Sequence, residues 1–145
     1  MAAKSQRLQV VVDLAQRQLD DAATRLAKVR DQLSFEQRRC EELENYFTEY
    51  QAQAKQQWGK GISVSRLTNF NYFLNNLRQA IDQQRQTITH IEAKCEQARL
   101  HWINMKAKQN NMVKLQTRAV LEEEAAREKR LQREIDDNFS ILKNF

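Results

Sequence analysis

Two glycines one residue apart, Gly59 and Gly61, with no proline anywhere, are the entire supply of strong backbone breakers in 145 residues. Proline and glycine punctuate regular structure. The chain is therefore free to stay helical on both sides of Trp58-Gly59-Lys60-Gly61-Ile62-Ser63. A β-sandwich or barrel needs turn chemistry roughly every 8–12 residues, and this sequence has almost none. The glycine-rich cradles of the common nucleotide-binding enzymes are also missing. The glycine pair gives the backbone access to positive φ, and Ser63 or Ser65 stands where it can cap a new helix. The expectation is all-α and a single hairpin over 1–145. A first long helix occupies 1–57, a turn 58–64 and a second arm 65–142.

Hydrophobic spacing supports that reading. In the first arm one stripe runs Val12, Leu19, Leu26, Leu33, Cys40, Phe47, Ala54. Its companion runs Leu8, Ala15, Ala22, Val29, Glu36, Leu43, Tyr50, broken only by Glu36. Alternating steps of three and four sustained this long mark a left-handed coiled coil. A helix of roughly 75 Å at 1.5 Å per residue needs a packing partner to be stable. The second arm offers one. It carries Leu67, Leu74, Ile81, Ile88, Cys95, Trp102 beside Phe70, Leu77, Gln84, Ile91, Ala98, Met105, with Gln84 the lone polar member. Folding about the glycines sets residue i opposite about 120 − i. The fold expected is a long antiparallel two-helix coiled-coil hairpin.

Past Met105 the seam thins through Met112 and Ala119, and apolar residues return off-register at Leu121, Leu131, Ile135 and Leu142. The opposition rule pairs Leu8 with the neighbourhood of Met112. It therefore leaves 115–145 overhanging, with bending or fraying expected where the stripe changes register. An amphipathic helix without a partner in its own chain either docks onto another protein or stays disordered.

Chemistry is sparse. Cys40 and Cys95 both fall on the seam, but the register sets them about 20 Å apart along it, beyond the roughly 7 Å Cα separation a disulfide tolerates. They read as small apolar fillers. His90 and His101 sit eleven residues apart with no converging Cys or carboxylate, and zinc wants four close ligands. No constellation for catalysis, metal or cofactor emerges, so a non-enzyme without cofactors is expected. A net charge of +5 invites an acidic partner, yet acids and bases interleave along most of the chain, as on solvated helix faces. No apolar run is long enough to span a membrane and the first residues hold no secretory segment. A cytoplasmic protein is expected, with no nucleic acid bound and no membrane insertion.

The central block resembles a known family. Leu43, Tyr46 and Tyr50 precede Gly59, Gly61 and Ile62; Asn69, Phe70, Phe73, Leu77, Ala80 and Ile81 follow. Together with the weaker opening group Leu14, Ala15, Asp21, Ala22 and Ala23, these spacings resemble FliJ, the small soluble component of the bacterial flagellar type III export apparatus. The resemblance implies a hairpin similar to the γ stalk of rotary ATPases. It also implies a monomeric stalk that enters the hexameric export ATPase (FliI-like), promotes its assembly and links it to the export gate (FlhA-like), with a part in export-chaperone traffic. Localisation would be cytoplasmic, peripheral at the inner membrane when assembled.

Carried over residue by residue, the family's gate-binding surface falls on Arg39, Leu43, Tyr46 and Tyr50 with Phe73, Leu77, Ala80 and Gln84. Arg39 stands where the family has glutamine, and Gln84 where it has histidine. On each arm the four positions step by four, three and four, forming one stripe along a helix. Leu43, Tyr50, Leu77 and Gln84 coincide with the seam, whereas Tyr46, Phe73 and Ala80 lie beside it. Arg7, Arg17, Arg25, Arg118, Arg127 and Arg130 are the candidates to meet acidic loops of the ATPase ring, at the end opposite the turn. Rival readings are the homologous stalk of a virulence injectisome and a free-standing coiled-coil holdase. The latter would show exposed apolar tips and bind many unfolded clients.

Overall fold

The computed structural model describes residues 3–144 and consists of two helices, α1 (Lys4–Trp58) and α2 (Val64–Lys143). Ala3 directly precedes α1, its carbonyl accepting from Gln6 N and Arg7 N. Ser63 caps α2: its Oγ accepts from Arg66 N at 3.3 Å and its carbonyl from Leu67 N. Of the two serines the sequence offered for this task, Ser65 already lies within the helix.

Between the helices, Lys60 N donates to Gln57 O and Gly61 N to Trp58 O. Only Gly61 adopts a left-handed conformation, at φ 78°. The expectation that both glycines work through positive φ is thus corrected. Gly59 simply follows the last turn of α1, and a Cβ there would meet Gln56 O at an ordinary 3.6 Å.

The two helices pack antiparallel in two units, one formed by Thr24–Leu100 and the other by Met1–Ala23 with His101–Phe145. Every position of the stripes read from sequence, Leu8 to Ala54 and Leu67 to Met105, is buried or half-buried. In Thr24–Leu100 the most enclosed are Leu26, Cys40, Ala54, Ile81, Ile91 and Ala98. A two-helix seam has no second layer above it, so most large members keep an exposed edge. Each then contributes less than the roughly 1.5–3 kcal/mol of a fully buried aliphatic or aromatic side chain. The two polar seam residues meet each other: Gln84 Nε2 donates to Glu36 O at 3.0 Å and to the Glu36 carboxylate.

In the other unit, Ala15, Ala22 and Ala119 are the most buried residues. Here the sequence reading needs correction. The stripe keeps its register beyond Trp102, stepping by sevens through Gln109, Gln116 and Glu123, each half-buried. Gln116 Nε2 donates to Ser5 O at 3.3 Å and to Gln9 Oε1, and Lys108 Nζ donates to Gln18 Oε1 at 3.0 Å. Ser5 donates to Glu123 from its amide, at 3.0 Å, and from its hydroxyl, at 2.7 Å. Pairing therefore reaches Glu123, and the exposed run begins at residue 124 instead of 115. Helix α2 is continuous through this region, without the fraying expected at a register change. Among the described residues, no helix is long and apolar enough to cross a membrane.

Candidate functional site

Antiparallel pairing gives Thr24–Leu100 two flanks, because residues on either side of a seam fall on opposite sides of the helix pair. Contacts distinguish them. On one flank the Tyr50 ring lies 4.3 Å from Phe73 and 5.1 Å from Phe70, centroid to centroid, within the range of favourable aromatic pairs. On the other, Arg85 Nη2 meets Glu44 Oε1 at 3.0 Å, and the Arg78 guanidinium lies 5.4 Å from the Phe47 ring centroid.

The eight carried-over positions gather on the first flank and the adjoining seam. Tyr46 is 63% exposed and Phe73 43%, so two large rings face solvent there. Arg39 is exposed as well, its guanidinium 6.0 Å from the Phe35 ring centroid. Leu43, Tyr50, Leu77 and Ala80 are half-buried. Gln84 is half-buried and committed to Glu36, so its amide hydrogens point across the seam. The surface is thus an aromatic centre, Tyr46 and Phe73, resting on half-buried Tyr50 with aliphatic neighbours. That combination suits protein recognition: tyrosine and phenylalanine supply contact area with little conformational freedom to lose.

The second flank was not singled out from sequence. Its signal was available as complementary charge: Glu44 on α1 faces Arg85 on α2, each directly beside a seam residue. The Arg85 guanidinium, hydrogen-bonded to Glu44, holds that carboxyl below its ordinary range, and the arginine is pushed up in return. Burial first, and then the Glu44 charge, pushes the Cys40 thiol up; the thiol donates to Glu44 Oε1 at 3.6 Å. Cys40 is buried and Cys95 half-buried, and both are free thiols. A groove of about 340 Å³ opens here between Phe47, Arg78 and Ile81.

The candidate ring-contacting arginines divide between the units. Arg25 belongs to Thr24–Leu100; Arg7, Arg17, Arg118, Arg127 and Arg130 belong to the other, and all six are exposed. In that second unit the helix beyond Glu123 leaves Leu131, Ile135, Phe139, Ile141 and Leu142 between 53% and 72% exposed. Glu123 itself is held below the ordinary carboxylate range, chiefly by the Ser5 hydroxyl and then by its amide.

A family model described as "Flagellar FliJ protein" matches residues 4–143, nearly the whole chain. The chain belongs to the FliJ family. Relatives agree: the Flagellar FliJ protein of Salmonella typhi is 30% identical over 111 residues, covering 77% of this chain and 76% of the relative. The Flagellar FliJ protein of Escherichia coli (strain K12) is 28% identical over the same length, with the same coverage. No solved structure matches the chain. FliJ membership makes this chain a component of the flagellar export apparatus.

Proposed function

We propose that this FliJ-family chain is the central stalk of the flagellar export ATPase. It enters the hexameric FliI-like ring, promotes ring assembly and couples the ring to the FlhA-like export gate. The observation that carries the reading is the continuous helix after Glu123, which leaves Leu131, Ile135, Phe139 and Leu142 more than half exposed among the described residues. An exposed amphipathic helix of this kind gains most of its stability from a partner's apolar surface. Arg127 and Arg130 on the same segment suit acidic loops of a ring. The gate contact is assigned to Tyr46 and Phe73, with Leu43, Tyr50, Leu77 and Ala80 beneath them. Arg39 forms its polar edge, and Gln84, tied to Glu36, supports the surface by holding the seam beneath it. Traffic of export chaperones and a cytoplasmic station at the inner membrane belong to the same reading.

The test is gel filtration and ATP hydrolysis with the cognate export ATPase. The chain should shift the ATPase toward hexamer and raise turnover. Alanine at Leu131, Ile135 and Phe139 together should remove both effects while keeping helix content, because these side chains are exposed and alanine is the strongest helix former. Stimulation that survives the triple substitution refutes the ring contact. For the gate, Tyr46→Ala should weaken binding of the gate's cytoplasmic domain without touching ATPase stimulation.

A further inference from the structure

The flank of Thr24–Leu100 away from Tyr46 carries a second groove beside the turn, of about 370 Å³. Its floor is apolar, made by Ala54, which is 3% exposed, and half-buried Leu74. Trp58, the last residue of α1, forms one wall and is 51% exposed. Leaving an indole half in water forgoes burial that a partner can recover, and tryptophan is the residue type most enriched at binding hot spots.

Charge decides what kind of partner fits. The charged side chains lining the groove are Lys55 and Arg78, with no acid among its lining residues. Arg78 is oriented by its contact with the Phe47 ring and also borders the adjoining groove, where Glu44 and Asp82 stand; its restricted guanidinium loses less freedom on meeting a carboxylate. The remaining rim is neutral amide, from Gln51, Asn71 and Asn75, which both donates and accepts. A trough between two helices is also the natural seat for a third helix, whose ridge of side chains fills it.

We propose that this turn-side groove is a second protein-docking site, taking an acidic amphipathic helix of another protein. The apolar ridge of that helix lies on Ala54, Leu74 and Trp58, and its carboxylates reach Lys55 and Arg78. The site is independent of the gate and ring contacts above. Tyr46 and Trp58 lie on different flanks, so a gate contact at one leaves the other open.

The probe is a synthetic helical peptide with leucine at every third or fourth position flanked by glutamate, compared with its glutamine counterpart. Binding is read from Trp58 emission in a Trp102→Phe background and from the side-chain amide NMR signals of Asn71 and Asn75. The glutamate peptide should bind saturably, and the glutamine peptide about tenfold more weakly, the scale of two surface ion pairs. Lys55→Glu with Arg78→Glu should abolish binding of the glutamate peptide and admit a lysine version of it. Lys55→Glu alone, which leaves the Arg78–Phe47 contact in place, should show a smaller loss in the same direction. Tyr46→Ala should change nothing in this assay.

Absence of saturable binding overturns the proposal, as do equal affinities for the two peptides or resonance changes centred on Tyr46 and Phe73. Displacement of the peptide by duplex DNA or anionic vesicles would reassign the groove to polyanions. Self-association of the chain that the charge reversals remove would reassign it to a second copy. Either result also overturns the proposal.

Discussion

Replacing each turn glycine by alanine should separate two effects that composition alone cannot tell apart. Gly61 sits at φ 78° with nothing within 4 Å of an added Cβ, so Gly61→Ala meets no steric obstacle and costs only backbone strain. For an L residue held in the left-handed region that strain is about 1–2 kcal/mol. Gly59 has no such φ, and its added Cβ would rest 3.6 Å from Gln56 O. There, alanine narrows the unfolded ensemble and should stabilise by about 0.4–1 kcal/mol. Both substitutions share that unfolded-state gain, so it cancels in their difference, which isolates the strain. Gly59→Ala should exceed Gly61→Ala in stability by about 1–2 kcal/mol, or roughly 3–7 °C in Tm for a chain of this size. Urea and thermal unfolding followed by far-UV circular dichroism measure it directly. Gly61→Asn should recover much of the deficit, because asparagine tolerates the left-handed region. Equal shifts for the two alanine variants would refute the reasoning, since they would mean that Gly61's conformation is not required by the turn.

Other substitutions probe the seam and its ends. Gln84→Leu alone should destabilise by about 1–3 kcal/mol by leaving Glu36 without its partner, whereas Glu36→Leu with Gln84→Leu should match or exceed the parent in urea unfolding. Ile81→Ala, at a side chain only 6% exposed, should cost about 2–4 kcal/mol, while Ile135→Ala, at 57% exposure, should stay within about 0.5 kcal/mol in the same assay. Glu123's folded pKa is depressed by Ser5, so its contribution is complete above the ordinary glutamate value of about 4.3 and disappears as pH falls through the lowered folded value. The Ser5 amide resonance should titrate in that acidic window, and Glu123→Gln should abolish the titration.

Much of this architecture was legible because a coiled coil writes its geometry into spacing. Leu26, Cys40 and Ala54 on α1, like Ile81 and Ile91 on α2, are buried where steps of seven place them. Apolar spacing stops marking the seam where geometry continues but hydrophobicity does not. Gln109, Gln116 and Glu123 occupy the same stripe as Trp102, yet a search for apolar residues passes over them and settles on Leu121, which is 60% exposed. The Glu123 contact could not be read locally, because its partner is a bare helix start 118 residues away. Ala3 has no side chain able to cap α1, so the early amides need an acceptor from elsewhere. At the candidate gate surface, sequence placed Tyr46 and Phe73 beside the seam but did not resolve Gln84. Only the hydrogen bonds to Glu36 tell an interior lock from an outward-facing polar edge. Nor does spacing reveal the grooves, which depend on where Arg78, Arg85 and Trp58 come to rest.

The register also orders assembly in time. Tyr50 and Phe70 meet just across the turn, Glu36 and Gln84 join residues 48 apart, and Ser5 and Glu123 residues 118 apart. Each layer that closes shortens the loop for the next, so the entropy of joining distant residues is met in small instalments. Zipping outward from Gly61 should secure the Tyr46 and Trp58 flanks first. On a ribosome, the first turn of α1 must wait for residue 123 to emerge before its amides find their carboxylate.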